Sequence, residues 1–163
     1  MLERIANAVL FQIGWLACVL GGNSLWLLVA LAVLVIHLRW ISSWAAEGRL
    51  ILGVVILGTA VDSGLRGLGV FEFKDLSPLI PLWLMLLWAL LATTLRHCLQ
   101  WSARPWWLAS VLGAVGSALS YCAGGRLAGV QFPYGELPTL IGIGLLWALL
   151  FPLLHLLSRR LVQ

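Results

Sequence analysis

Residues 50–70 read LILGVVILGTAVDSGLRGLGV, and this stretch decides the fold of the chain. It is long and apolar enough to cross a bilayer, yet it contains Asp62 and Arg66. If the stretch is helical, Thr59 and Ser63 share a face with them, because the four follow an i, i+3, i+4, i+7 spacing. At about 1.5 Å per residue, Asp62 lies roughly 18 Å into the helix, near the bilayer centre. Because charged groups are costly there, we predict that this polar face points into a helix bundle.

The spacing of Asp62 and Arg66 predicts an i, i+4 ion pair with the acid first, which is the more favourable order. One interpretation is a buried polar site for a substrate, an ion or a lipid headgroup, since ionisable residues inside membranes are usually functional. The alternative is a pair that neutralises itself and only fixes the register of the helix. An aspartate with no nearby arginine would be a stronger indication of function.

The composition excludes an ordinary soluble domain. The chain has 163 residues, of which 62% are hydrophobic and 10% charged. Soluble domains are roughly 45–50% apolar and about 25% charged. The sequence therefore predicts a single integral membrane domain over residues 1–163. The net charge of +4 comes from basic residues at predicted helix ends, so it indicates membrane topology and no nucleic acid partner.

Apolar runs and turn signals predict an all-α, polytopic bundle of six transmembrane helices. The predicted bounds are about 7–21, 25–40, 50–70, 79–100, 106–124 and 139–157. Six helices place both termini on one side of the membrane. The basic residues expected on that side are Arg4, Arg39, Arg49, Arg96, Arg104, Arg159 and Arg160, against Lys74 and Arg126 on the other. By the positive-inside rule, both termini are predicted to be cytoplasmic.

The fifth predicted helix carries a seam of small residues at helical spacing. The seam consists of Ser110, Gly113, Ser117, Ser120 and Gly124. Small residues let helix backbones approach closely in lipid, so we interpret the seam as a packing surface. It could serve within one chain or between two chains, and a homodimer through the fifth helix is therefore a further hypothesis.

Three histidines, His37, His97 and His155, fall near the cytoplasmic ends of the even-numbered predicted helices. Three imidazoles at one depth could bind a metal or a haem. They lack HxxxH spacing, so we expect interfacial or hydrogen-bonding roles, with no metal and no cofactor. The sequence also lacks GxSxG, Walker, Rossmann and HExxH motifs. We therefore assign no catalytic residues and favour a protein that is not an enzyme.

Three segments, VDSGLRGLGVF, PLWLMLLWALLATTLRHCLQW and GAVGSALSYCAGGRLAGVQF, resemble a bacterial family of small inner-membrane proteins. The family is catalogued only as a domain of unknown function, and the resemblance extends from Phe11 to Pro152. Its Asp-Ser pair corresponds to Asp62-Ser63, and an asparagine of its pattern is replaced here by Arg96. The resemblance implies a multi-pass protein of the bacterial inner membrane. It also implies a link to membrane lipid metabolism, because members are often encoded near fatty-acid-modifying enzymes of the cyclopropane-synthase kind.

The leading hypothesis is an accessory inner-membrane protein that binds a lipid or other amphipathic ligand in a polar pocket. The third, fourth and fifth predicted helices would line this pocket. The candidate ligand-binding residues are Asp62, Arg66, Ser63, Gln12, His97 and Tyr121. Membrane lipids and lipid-modifying enzymes are the expected partners. The alternatives are a small proton-coupled transporter in which Asp62 titrates, a metal-dependent enzyme acting on lipid chains, and a scaffold subunit whose polar residues only pack.

Overall fold

The computed structural model describes residues 1–74 and 77–161. Over these residues it contains six α-helices, which confirms the predicted all-α class and number of helices. The helices are α1 (Leu2–Gly21), α2 (Leu27–Ile36), α3 (Trp44–Gly67), α4 (Leu82–Thr94), α5 (Trp106–Ala128) and α6 (Glu136–Arg160). A π-helical turn, His37–Ile41, extends α2, and a 3-10 turn, Gln100–Ala103, precedes α5.

Four of the helices, α1, α3, α5 and α6, are long and apolar enough to cross a membrane. Their outer surfaces carry many exposed leucine, valine, isoleucine and tryptophan side chains, as expected of helices that face lipid. The other two are shorter than the roughly 20 residues that a span requires. Helix α4 has 13 residues, and α2 with its π-helical turn covers Leu27–Ile41. The prediction of six full-length spans is therefore confirmed for four helices.

The helices run alternately up and down, so the bundle has two distinct ends. Arg4 donates a hydrogen bond to the Gln100 side chain, and Arg159 donates one to the Ala103 carbonyl. The start of α1 and the end of α6 therefore lie at the same end of the bundle, which we call the terminal end. At the opposite end, the loop end, Glu72 and Gln131 form an antiparallel β-bridge between the loops before α4 and α6.

Close helix approaches shape the core. The most extensive contact joins α5 to α6, where a β-carbon on Gly113 would lie 2.5 Å from the Trp147 carbonyl oxygen. One apolar cluster fills the space between α3, α4 and α6, and a second joins α1, α2 and α4. The α5–α6 hairpin packs less closely against α1, and this difference leaves space between them.

Helix α3 begins at Trp44, six residues before the predicted start at residue 50. Ser43 caps it, because its hydroxyl accepts a bond of 3.2 Å from the Ala46 backbone N–H. The earlier start brings Glu47 into the first turn of the helix. It also changes the position of Asp62, which lies five residues before the end of α3 at Gly67 and not at the helix centre.

Candidate functional site

Asp62 is fully buried and connects three helices. Its Oδ2 accepts a bond of 2.8 Å from the indole N–H of Trp88 on α4. Its Oδ1 accepts a second bond of 2.8 Å from the hydroxyl of Tyr121 on α5. Both oxygens of the carboxyl group are therefore held by aromatic donors from neighbouring helices.

Gly58, one turn before Asp62, lets Trp88 reach the carboxyl group. A β-carbon at Gly58 would lie 1.9 Å from a Trp88 ring atom, so the ring rests directly on the backbone of α3. Trp88 in turn stacks on Trp147 of α6, with ring centroids 5.0 Å apart and planes inclined by 13°. The Trp147 indole N–H is buried and has no hydrogen-bond partner within residues 1–74 and 77–161.

Arg66 and Ser63 turn towards the loop end, which differs from the predicted Asp62–Arg66 ion pair. The Arg66 guanidinium donates a bond of 2.8 Å to the Leu79 carbonyl and lies 5.1 Å from the centre of the Phe73 ring. Ser63 accepts a bond from the Ile80 backbone N–H. Because α3 ends at Gly67, Arg66 occupies its last turn, where backbone carbonyls outside the helix are within reach.

The six predicted ligand-binding residues do not form one site. Asp62 and Tyr121 contact each other, and Ser63 and Arg66 lie nearby at the loop end. Gln12 is exposed on α1. His97 lies beyond the end of α4, at the terminal end, where it contacts Glu47. The expectation that Gln12 and His97 approach Asp62 is therefore wrong.

An apolar cavity of about 370 Å³ lies between α1 and α4 on one side and the α5–α6 hairpin on the other, and we call it the groove. Its lining includes Phe11, Trp15, Val19, Trp83, Leu87, Trp88, Leu112, Gly116, Ser117, Ser120, Tyr121, Gly124, Trp147 and Phe151. Helix α3 contributes no lining residue, in contrast to the predicted pocket. Asp62 does not line the groove, but it accepts hydrogen bonds from two residues that do, Trp88 and Tyr121, and so holds them in place.

The groove is long, and it reaches the surface of the bundle. Its lining on α5 extends from Leu112 to Gly125, which is about 20 Å at the rise of an α-helix. Gly116 and Ser120 are both exposed and both line it, so it opens to the exterior beside α1. The Trp15 indole N–H donates to the Ser120 hydroxyl across this opening at 3.2 Å.

The small-residue seam of α5 has two roles: it packs against α6 and it lines the groove. Gly113 packs against the α6 backbone, in agreement with the packing interpretation. Gly113 also lines the groove, together with Ser117, Ser120 and Gly124 of the seam and with Gly116, which lies beside the seam. A β-carbon at Gly116 would meet no atom within 4 Å, so this position faces open space. The homodimer through α5 stays a prediction.

A second buried carboxyl group, Glu47, lies at the terminal end and was not among the predicted site residues. Its Oε2 lies 2.9 Å from His37 Nε2, and its Oε1 lies 2.8 Å from His97 Nε2. The Arg96 guanidinium is 3.6 Å from Oε1. Glu47 and His37 are each 1% exposed, whereas His97 is 19% exposed and connects the cluster to the surface.

Asn7 determines which nitrogen of His37 carries the proton. Its Oδ1 accepts from the Cys98 backbone N–H, and its Nδ2 donates to the Thr93 carbonyl, so the amide has one orientation. The second Nδ2 hydrogen then points to His37 Nδ1 at 3.3 Å. His37 Nδ1 is therefore an acceptor, and Nε2–H donates to Glu47.

The same bonds decide how well the cluster suits a metal ion. Ligand atoms of His37, Glu47 and His97 lie within 4.8 Å of one another, a spacing that a cation could bridge. A histidine ligates through a nitrogen without hydrogen. Because Asn7 keeps the hydrogen on Nε2 of His37, that nitrogen cannot ligate unless the Asn7 contact breaks. The donor set therefore suits proton sharing better than a cation. Burial raises the pKa of the thiol of Cys98, which follows His97 in the chain.

His155 lies apart from this cluster, although it belongs to the same end of the bundle. Its Nε2 is 3.0 Å from the Ser102 hydroxyl, and its ring stands edge-on to Phe151. All three histidines form hydrogen bonds, as predicted, but only His37 and His97 converge on one group, Glu47. In the sequence, Ser43 is the signal that could have revealed Glu47. A serine cap followed by an acid in the first turn is typical of a helix start, so Glu47 could have been assigned to α3.

A family model described as "Protein of unknown function (DUF2878)" matches residues 4–153. The match covers most of the chain and confirms the family resemblance of its sequence motifs. No curated protein and no solved structure matches the chain.

Proposed function

The chain belongs to the DUF2878 family, and we propose that it binds one hydrocarbon chain of a membrane lipid in the groove. The observation that carries the proposal is the groove itself: an apolar cavity of about 370 Å³ that opens to the exterior in a bundle with four membrane-length helices. Cavities of roughly 300–1,000 Å³ with mostly apolar walls are the usual form of small-molecule sites. In this setting the surrounding lipid supplies the ligand.

The dimensions of the groove suit an acyl chain. The hydrocarbon core of a bilayer is about 30 Å thick, so the chains of one leaflet span roughly 15 Å. The lining on α5 extends over about 20 Å, which accommodates one such chain along the bundle.

Asp62 acts in this proposal as a positioning residue and does not touch the ligand. It holds Trp88 and Tyr121, which form part of the groove wall. The protein would lie in the bacterial inner membrane with both termini cytoplasmic, as the distribution of basic residues supports. There it would serve as an accessory to lipid-modifying enzymes by holding one lipid out of the bilayer.

Two matched glycine variants test the groove. Gly116 and Gly142 are both helical, exposed and free of atoms within 4 Å of a β-carbon, but only Gly116 lines the groove. Gly116→Leu is expected to fill the groove and release bound lipid, whereas Gly142→Leu should retain it. Native mass spectrometry of the purified proteins measures the bound lipid. Equal retention in both variants would contradict the proposal.

The Glu47 cluster favours a second candidate function, a small proton-coupled carrier. A buried carboxyl group between two histidines, one of them partly exposed, can pass a proton between the surface and the bundle interior. Flux into liposomes driven by a pH gradient and lost in Glu47→Gln would support this reading. A wild-type protein without such flux would exclude it.

A further inference from the structure

A second cavity of about 400 Å³ lies at the terminal end, between the chain that follows α4 and the end of α6. Its polar lining consists of Arg96, Gln100, Arg104, His155, Ser158 and Arg159. No aspartate or glutamate of residues 1–74 and 77–161 lines it. Three guanidinium groups therefore surround one cavity. Glu47 balances the charge of Arg96, and the charges of Arg104 and Arg159 favour an anion there.

His155 also lines this cavity, and hydrogen bonding on the other side of its ring fixes its tautomer. The single hydroxyl hydrogen of Ser102 is donated to the Leu99 carbonyl at 2.7 Å. Ser102 must therefore accept from His155 Nε2, so Nε2 carries a hydrogen. The other ring nitrogen, Nδ1, is buried without a hydrogen-bond partner, and the whole side chain is 3% exposed.

Two of the arginines are held in place by neighbouring groups. Arg159 donates a bond of 3.0 Å to the Ala103 carbonyl. Arg96 lies 3.6 Å from the Glu47 carboxylate. A guanidinium that is already positioned loses less freedom when it forms a two-pronged contact with phosphate oxygens. This arrangement suits a tetrahedral phosphoryl group better than a simple halide.

The cationic cavity adjoins the groove, because Trp101 lines both. The groove offers apolar walls for a hydrocarbon chain, and the cavity at its terminal end offers positive charge. An amphipathic molecule with a chain and an anionic head would fill the two together.

We propose that the Arg96–Arg104–Arg159 cavity binds the phosphoryl group of an anionic phospholipid, one with a net negative headgroup, whose chain occupies the groove. This inference rests on the proposed lipid binding and specifies its headgroup. The same chemistry would accept free inorganic phosphate, so the test separates the two sources.

The test compares two double variants that remove equal charge at the same end. Arg104→Gln with Arg159→Gln changes the cavity, whereas Arg39→Gln with Arg160→Gln removes two exposed arginines that do not line it. Each protein is incorporated into nanodiscs of phosphatidylcholine with a minor fraction of phosphatidylglycerol, and co-purified lipid is counted by native mass spectrometry. A parallel thermal scan compares inorganic phosphate with chloride at equal ionic strength.

Wild type and the control variant are expected to enrich phosphatidylglycerol, and the cavity variant to lose about tenfold in that preference, as for the removal of charge-assisted contacts. Total lipid in the groove should persist in the cavity variant. Wild type could instead show no headgroup preference but a rise in Tm with phosphate, absent from the cavity variant. This result would overturn the phospholipid assignment and show a site for free phosphate. If wild type shows neither the headgroup preference nor the phosphate-induced rise in Tm, the proposed site is wrong. Lipid loss in Gly116→Leu would still support the groove separately.

Discussion

Asp62 and Glu47 are two buried carboxyl groups near opposite ends of the same helix, and their partners differ in kind. Asp62 is bound by the indole of Trp88 and the phenol of Tyr121, which stay neutral donors near pH 7. Glu47 is bound by His37 and His97 and lies near Arg96, so it is surrounded by groups that carry or exchange protons. Asp62 therefore fixes the positions of two neutral aromatic donors, whereas Glu47 holds together two histidines, which can exchange protons.

The largest expected effect comes from removing the carboxyl group of Glu47. Glu47→Ala leaves His37 and His97 without their shared acceptor and Arg96 without its countercharge. Each buried donor that loses its acceptor costs roughly 1–3 kcal/mol, and two donors lose theirs here. We expect a large fall in Tm by thermal unfolding in detergent. Glu3→Ala, at an exposed position in the first turn of α1, should change Tm little, and a similar fall in both variants would contradict the comparison.

The next effect is that of Asp62→Asn, which keeps shape but replaces one acceptor oxygen with an N–H donor. The amide oxygen can still accept from Trp88, but the amide N–H then faces the Tyr121 oxygen and the Tyr121 hydroxyl hydrogen loses its acceptor. An unmet buried hydrogen bond costs about 1–3 kcal/mol. Tm should fall by less than in Glu47→Ala. Tyr121→Phe removes only one bond and should have a smaller effect. An unchanged Tm in Asp62→Asn would show that the two hydrogen bonds of Asp62 do not stabilise the bundle.

These two carboxyl groups also mark what the sequence could and could not predict. Asp62 interrupts an apolar run, so its burial followed from the cost of charge in lipid. Its partners did not follow, because Trp88 and Tyr121 are distant in sequence and Arg66 lies close by. Glu47 was missed since Trp44 and Arg49 resemble an interfacial loop, although Ser43 begins the helix before them. The groove depends on the separation of α1 from α5, which periodicity along one chain does not specify.

A third effect tests the backbone contact beside Asp62. Gly58→Ala would place a methyl group 1.9 Å from the Trp88 ring, and such overpacking typically costs about 1–3 kcal/mol. Gly64→Ala, in the same helix with nothing within 4 Å, should be neutral or stabilise the protein by about 0.5–1 kcal/mol. The difference in Tm between the two variants measures the contact. Equal values would mean that Trp88 does not rest on Gly58.

The smallest expected effect is that of zinc on the Glu47 cluster. His37 Nε2 donates its hydrogen to Glu47, so a metal would have to displace this proton and disturb Asn7. We expect no rise in Tm when zinc is added to protein treated with a chelator. A zinc-dependent rise in Tm that is lost in His97→Gln would contradict this expectation. It would show that Glu47, unlike Asp62, belongs to a metal site.

The central claim, that the groove holds a lipid chain, is tested most directly by photo-crosslinking. The probe is a phosphatidylglycerol with a diazirine on one acyl chain, incorporated into nanodiscs with the wild-type protein. We predict that peptide mapping finds crosslinks on α5 between residues 112 and 125 and on Phe11 or Trp15 of α1, with loss in Gly116→Leu and retention in Gly142→Leu. Crosslinks spread over the exposed outer faces of the helices, unchanged in Gly116→Leu, would contradict the account.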